Sequence, residues 1–498
     1  MNKKLASIFC AIVVTVLVAS SASAQGIPGS GWWSGEQLQN VGTGTATINV
    51  TAYDKNGSST YQANSSLAAG ASVNFNPSAF TGMPAGFIGS AVASSDQPIK
   101  AVVNVTNQQA GTFGVAGGRA AAGYQGTEST ATTLYFPMAK HNRFGKTTAF
   151  YIQNAGSADT TVRAVFKMDN GGVYTFTTAA VNPNKMVLIL PSDASVPSTP
   201  SDGTRVNIGS VAVTSLASQP LAGTVLEFTA GESPAKTLKG TRGFSSADFD
   251  VKAYAPIVKR ARFGRFTGIQ VQNVSSNPIT VTISYVGTAA TCVGQTAQDV
   301  LTNILPGASR TQNHQAGSTN LQDNCTAAAT ISSVGGNFVA IVNEDNLTGS
   351  ALAGITFSAF PAKNGTAKVS APLFKDRRFG LTSGMQVQNV GTVAATNVVA
   401  TFACKGADGT NTPFTAITKP LTIAAGGGKL FYKPTTMTSD FTTANPFSLD
   451  GANCGVTITS DQPIVTIVNE TPDPAGVRGT GVKVDLDDDN YEAFNLTP

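Results

Sequence analysis

Gln39-Asn40-Val41-Gly42, Gln153-Asn154-Ala155-Gly156, Gln272-Asn273-Val274-Ser275 and Gln388-Asn389-Val390-Gly391 are one phrase written four times. The Gln positions lie 114, 119 and 116 residues apart (39 to 153, 153 to 272, 272 to 388). After the first phrase, Ala46–Tyr53 alternates, with Ile48, Val50 and Ala52 on one face. Period-two alternation bounded by Gly, Pro, Asn, Asp and Ser predicts half-buried strands. A second phrase marks a turn: Ser95-Asp96-Gln97-Pro98, Ser218-Gln219-Pro220 and Ser460-Asp461-Gln462-Pro463, with Val334-Gly335-Gly336-Asn337 in the third repeat. Strands are expected after each, at Ile99–Val105, Leu221–Phe228, Phe338–Glu344 and Ile464–Glu470. No segment beyond residue 24 carries a 3.6-residue period. The chain is therefore expected to be all-β, with four tandem sandwich repeats of roughly 115 residues, much longer than solenoid units.

The first 24 residues read as a secretory signal peptide: Lys3 and Lys4, an apolar run from Ile8 to Val18, and Ala22-Ser23-Ala24 before Gln25. The expected division is 1–24 leader, 25–133, 134–250, 251–368 and 369–490 as repeats one to four, and 491–498 as an orphan strand. Without Lys3 and Lys4 the chain has 30 basic and 28 acidic residues, too balanced to suggest nucleic acid. No later stretch is apolar for long enough to span a bilayer as a helix. Of five Cys, Cys10 falls in the leader, and Cys292 with Cys325 and Cys404 with Cys454 sit pairwise in repeats three and four. In an exported chain this predicts two disulfides.

The Gln-Asn-x-Gly opening before an alternating Thr/Val strand, with the strand after Gln-Pro, resembles immunoglobulin-like repeat modules of secreted bacterial surface proteins. That resemblance implies a sandwich of about seven strands per repeat and a structural or adhesive role at the cell surface.

The ends of the chain are mismatched. Repeats two to four open with lead-in strands ending at Pro137, Pro256 and Pro372, each 16 residues before its Gln, whereas in the first repeat this strand is missing or short. With a closing strand expected at Gly481–Leu486, Tyr491–Pro498 reads as a lead-in whose repeat is missing. Tyr491, Ala493, Phe494 and Leu496 are thus candidate residues of an assembly strand, donated to the first repeat of another copy. Donor and acceptor differ, so repetition would give an open filament. This logic resembles donor-strand complementation in pilus fibres. The competing readings are a tail packed on repeat four or disordered, a first repeat that closes itself with Gly26–Trp32, and an adhesin.

Other candidates are Arg143-Phe144, Arg262-Phe263 and Arg378-Phe379 at the three internal junctions, read either as anion sites or as Phe plugs with Arg bonding loop carbonyls. Trp32-Trp33 is a candidate interface or glycan platform, with one ring expected in the core. Asp485–Asn490 is an acidic run read as a solvated linker rather than a Ca²⁺ site. Only His141 and His314 occur, and no Gly-rich phosphate loop, HExxH or GxSxG is present. The reading is a non-enzymatic protein with no cofactor.

Overall fold

The computed structural model describes residues 10–18 and 26–496, except 56, 108–119, 199–203, 232–234, 236, 316–318, 347–353, 379, 407–412, 433–440, 443–448, 450 and 474–488. Every described sheet is antiparallel, and one strand order recurs along the chain. In repeat two the lead-in strand Thr133–Lys140 pairs with Ile208–Ser215, which continues to Val162–Met168 and Val173–Thr177. The facing sheet runs Met186–Ile189, Lys146–Asn154, Leu221–Thr229 and the closing strand Leu238–Arg242. Repeats one and three keep the same order. In repeat four the two sheets merge, because Asn453–Pro472 is one unbroken strand whose halves pair in different sheets. The turn expected at Ser460–Pro463 is crossed without a break there. Immunoglobulin constant-type sandwiches keep their first two strands in one sheet. Here the lead-in and Gln-Asn strands lie in opposite sheets, so the strand order departs from that expectation.

The repeated phrase is explained by hydrogen bonding. Asn154 Nδ2 donates to Ala158 O at 2.8 Å and Val181 O at 2.8 Å, while Gly156 N donates to Asn154 Oδ1 at 2.9 Å. Asn40, Asn273 and Asn389 make the same three bonds. The Gln before each Asn donates to the turn that precedes the edge strand, as Gln39 Nε2 does to Gly70 O at 3.0 Å. A buried amide that satisfies several backbone groups at once fixes the local fold, so the phrase marks architecture rather than chemistry.

Both expected disulfides are present, Cys292–Cys325 and Cys404–Cys454, with sequence separations of 33 and 50. Each bridge constrains the unfolded chain, so replacing either pair by Ala should cost about 2–4 kcal/mol. Denaturant titration should show this as a lower midpoint with reducing agent present, and a variant with all four of these Cys replaced by Ala should not respond to reductant.

Candidate assembly site

The four repeats are arranged in a closed ring. The closing strands Ala121–Gln125, Leu238–Arg242, Gly354–Ser358 and Asp489–Glu492 pack in sequence, and the last returns to the first. Their final residues are equivalent and meet at the centre. Arg242 Nε donates to Gln125 Oε1 at 3.4 Å, and Gln125 Nε2 donates to Glu492 O at 2.8 Å. The Ser358 amide donates to Glu492 Oε1, and Thr241 Oγ1 lies 2.9 Å from Ser358 Oγ. A cavity of about 550 Å³ opens beside them, with Lys100, Glu128, Asp248 and Lys368 on its walls. Arg242 is held by Asp248 through two bonds, of 2.6 and 3.0 Å. That pairing keeps the Asp248 carboxyl below the ordinary carboxylate range.

This geometry corrects the reading of the tail. Asp489–Glu492 pairs with Ile467–Glu470 as Gly354–Ser358 pairs with Ile341–Asp345. Phe494–Asn495 then pairs with Val369–Ser370, as Phe360–Pro361 pairs with Ala253–Tyr254. Tyr491–Leu496 is therefore the closing segment of repeat four, not a lead-in for a fifth. The expected closing strand at Gly481–Leu486 and the acidic residues Asp485–Asp488 lie outside the described residues. Tyr491, Ala493, Phe494 and Leu496 are buried. The Tyr491 hydroxyl donates to Leu373 O and accepts from Leu373 N at 3.0 Å. Lys100 of repeat one stands 5.3 Å from the Phe494 ring centroid, and Ser370 Oγ donates to Gln39 Oε1. The head-to-tail contact expected between subunits is made inside one chain. Heterologous contacts form a ring when the rotation closes and a filament only when it does not.

Each lead-in strand also joins its repeat to the next. Met138 packs with Val339 and Ile341, and Tyr254 with Val465. In repeat one this position is taken by Cys10–Val18, part of the segment whose sequence reads as the leader. Its backbone pairs with Ile88–Ser95 and runs beside Lys146–Asn154 and Leu221–Thr229 of repeat two. Two residues distinguish this slot from its counterparts. Repeats two to four carry an internal ion pair between lead-in and return strand: Lys140–Glu227 at 2.6 Å, Lys259–Glu344 at 2.9 Å and Lys375–Glu470 at 2.7 Å. Val105 stands where those Glu residues stand, opposite Ser34 as Glu227 is opposite Thr148. Glu36, in contrast, takes the place of Phe150, Ile269 and Met385, which are core residues. Both Glu36 carboxylate oxygens are buried without a hydrogen-bond partner, and burial pushes the group up to about 8.

The sign of that shift is testable. A carboxyl raised above its unfolded value of about 4.5 costs nothing below that pH and costs progressively more up to about 8. In the chain that retains Cys10–Val18, stability should fall by roughly 3–5 kcal/mol over this window. Glu36→Met, copying repeat four, should flatten the profile in denaturant titrations at pH 5 and pH 8; an unchanged slope would refute the assignment.

The other candidates take different places. The Arg-Phe-Gly stretches are two-residue hairpin turns with positive φ at Phe144 and Gly145 and at Phe263 and Gly264. Phe144 and Phe263 are 72% and 74% exposed, so they do not plug the sandwiches; Arg143 and Arg262 stack on them at 4.5 and 4.0 Å. Arg143 is buried and reaches Asn207 Oδ1 at 3.4 Å, and Arg262 Nη1 reaches Asn324 Oδ1 at 3.1 Å. Arg378 bridges to Leu381 across the third such turn, and Phe379 lies outside the described residues. Trp32 is buried and donates to Pro28 O at 3.1 Å; Trp33, on the opposite face, is half-buried with its Nε1 unpaired. His314 is buried between Thr267 O at 2.6 Å and the Tyr285 hydroxyl at 2.9 Å, and burial lowers it to about 4. Among the described residues no His, Cys, Asp or Glu group could hold a metal ion, and no helix is long and apolar enough to cross a membrane.

Sequence reasoning missed Glu36 and the ring centre. Alignment of the four phrases places a lone Glu where Phe, Ile and Met occur, which is a readable signal; ring closure leaves none.

Neither protein-family models nor curated proteins match this chain. Among solved structures, a crystal structure of Thermotoga maritima 1070 aligns over 23% of this chain and 93% of its own, with 17% identity and a TM-score of 0.19. The full-length RrgB pilus protein from Streptococcus pneumoniae aligns over 98% of this chain and 93% of its own, with 8% identity and a TM-score of 0.12. Scores this low inform neither fold nor function.

Proposed function

We propose that this chain is an exported, non-enzymatic structural protein of the cell surface, a ring of four sandwiches that joins other proteins through its first repeat. The observation that carries this reading is the occupancy of the repeat-one lead-in slot by Cys10–Val18. Export processing at Ala24 would remove that strand and leave the edge of Ile88–Ser95 unpaired. An open edge beside an apolar core is a template for strand addition. Two disulfides and the lack of a membrane-crossing helix among the described residues are compatible with an extracellular location. This reading keeps the acceptor end of the head-to-tail scheme and takes its donor from elsewhere than Tyr491–Leu496, which pairs within its own chain.

Hydrogen exchange tests the reading. Amides of Ile88–Ser95 that pair toward the slot should exchange rapidly in a chain beginning at Gln25 and slowly in one that retains residues 1–24. Equal protection in both would refute an open acceptor. Electron microscopy of the same two proteins asks whether the partner is a second copy.

A glycan-binding role is the second reading, favoured by the exposed Phe144 and Phe263 under their guanidinium groups. Phe144→Ala with Phe263→Ala should abolish glycan binding without lowering stability; retained binding would remove this reading.

A further inference from the structure

The slot in repeat one is built differently from the other three, and the differences describe its occupant. In repeat two, Phe136 of the lead-in stacks edge-on to Phe150 at 5.2 Å. Phe136 stands opposite Val211, and a register shift follows it before Ala139 reaches Gly209. Ile208-Gly209-Ser210-Val211 corresponds to Ile88-Gly89-Ser90-Ala91. Ala91 faces Val14, and a register shift lies between Thr15 and Leu17. The position of Val14 is therefore the position of Phe136. The residue across the sandwich from it, where repeat two has Phe150, is Glu36.

Glu36 is fully buried, has no hydrogen-bond partner and lies among apolar neighbours such as Leu38 and Val103. A buried carboxylate without a cation or donor opposes the fold, whereas one that meets a cation in a dry site gains a strong, charge-assisted contact. The Lys position of the other lead-ins, represented by Lys140 opposite Ile208, corresponds to Val18 opposite Ile88. Its usual acidic partner is replaced by Val105. The slot has thus lost its anion at the strand end and gained one at the strand centre.

We infer that, once the leader is removed, the repeat-one slot accepts an extended segment of another exported polypeptide that is apolar along its inward face except for one Lys or Arg, placed opposite Ala91 to meet Glu36. Pairing with Ile88–Ser95 supplies backbone hydrogen bonds without sequence preference, and Glu36 supplies the selection. The leader strand, apolar at this position, is then a poor competitor. This inference rests on the proposed acceptor role.

The test uses the chain beginning at Gln25 and two peptides covering residues 8–20, each solubilised by a terminal polyethylene glycol: the native sequence, and the same peptide with Val14→Lys. The Lys peptide should bind at least about tenfold more tightly than the native one. With Glu36→Met in the protein, the order should reverse. A reversal on this single substitution separates charge recognition from a general effect of peptide solubility. Equal affinity of both peptides for the unsubstituted protein, or a preference that survives Glu36→Met, would overturn the selection by Glu36 while leaving the acceptor intact. Binding of neither peptide, with Ile88–Ser95 protected from exchange, would overturn the acceptor itself.

Discussion

A chain ending at Asp488 is expected to lose its fourth repeat as a folded unit and to open the ring. The deleted segment contains the closing strand Asp489–Glu492, the crossover pair Phe494–Asn495, and three large buried apolar side chains in Tyr491, Phe494 and Leu496, besides Ala493. It also holds the 2.8 Å bond from Gln125 Nε2 to Glu492 O that ties repeat four to repeat one. Each large buried side chain is worth about 1.5–3 kcal/mol of transfer free energy, and an unpaired sheet edge adds unsatisfied backbone groups. The summed loss is comparable to the whole stability of an ordinary domain. Tyr491→Ala alone should cost about 3–5 kcal/mol, through the cavity and the two bonds lost to Leu373. Limited proteolysis and thermal unfolding distinguish this from strand donation between copies. A donor strand could be cut away to leave a folded chain that merely fails to assemble; the closing strand seen here cannot. A truncated protein with the thermal stability of the intact one would contradict the assignment.

Lys239→Ala is expected to be the most destabilising single substitution among the charged residues. Lys239 is buried, its Nζ 2.6 Å from Asp345 Oδ1 and 3.7 Å from Glu227 Oε1. Lys146 bonds Asp345 at 2.5 Å, and Lys140 bonds Glu227 at 2.6 Å. The cluster joins repeats two and three where their closing strands pack. Burial pulls Lys239 below the ordinary lysine range, while the surrounding cations pull Asp345 and Glu227 below the ordinary carboxylate range. The two carboxylates within 3.7 Å favour the ammonium form against that burial. Removing it leaves the buried Glu227 and the part-exposed Asp345 to share two lysines, at a cost of about 3 kcal/mol. The sign with pH follows from the depressed carboxylates: their contribution is present above about pH 4 and is lost as pH falls below it. Urea titrations at pH 7 and pH 3 should show a large difference between wild type and variant at the higher pH and a smaller one at the lower. A constant difference would show that Lys239 acts through packing of its methylene chain.

Much of the fold was readable from the chain. The repeated Gln-Asn phrase, the alternating segments after it and the two Cys pairs are local signals, because each depends on residues adjacent in sequence or on a recurring turn. The Phe-plug reading of the Arg-Phe turns fails, since Phe in a positive-φ hairpin tip runs against both propensity and hydrophobicity, and only the folded turn displays it on the surface. The tail was misread for a different reason. A closing strand at Gly481–Leu486 would follow Glu470 about as closely as Gly354–Ser358 follows Glu344, whereas Asp489 follows Glu470 by more residues than Ile355 follows Glu344. Pairing register, not spacing, identifies a strand.

Sequence alone determined the all-β class and the disulfide partners, because alternation, turn chemistry and Cys spacing are carried by the local order of residues. Only the tertiary structure decided that four repeats close into a ring, that Tyr491–Leu496 completes the chain's own last repeat, and that Glu36 faces the slot beside Ile88–Ser95. Those facts depend on which strands meet across the molecule and on whether successive rotations close, and such long-range geometry leaves no periodic mark on the chain.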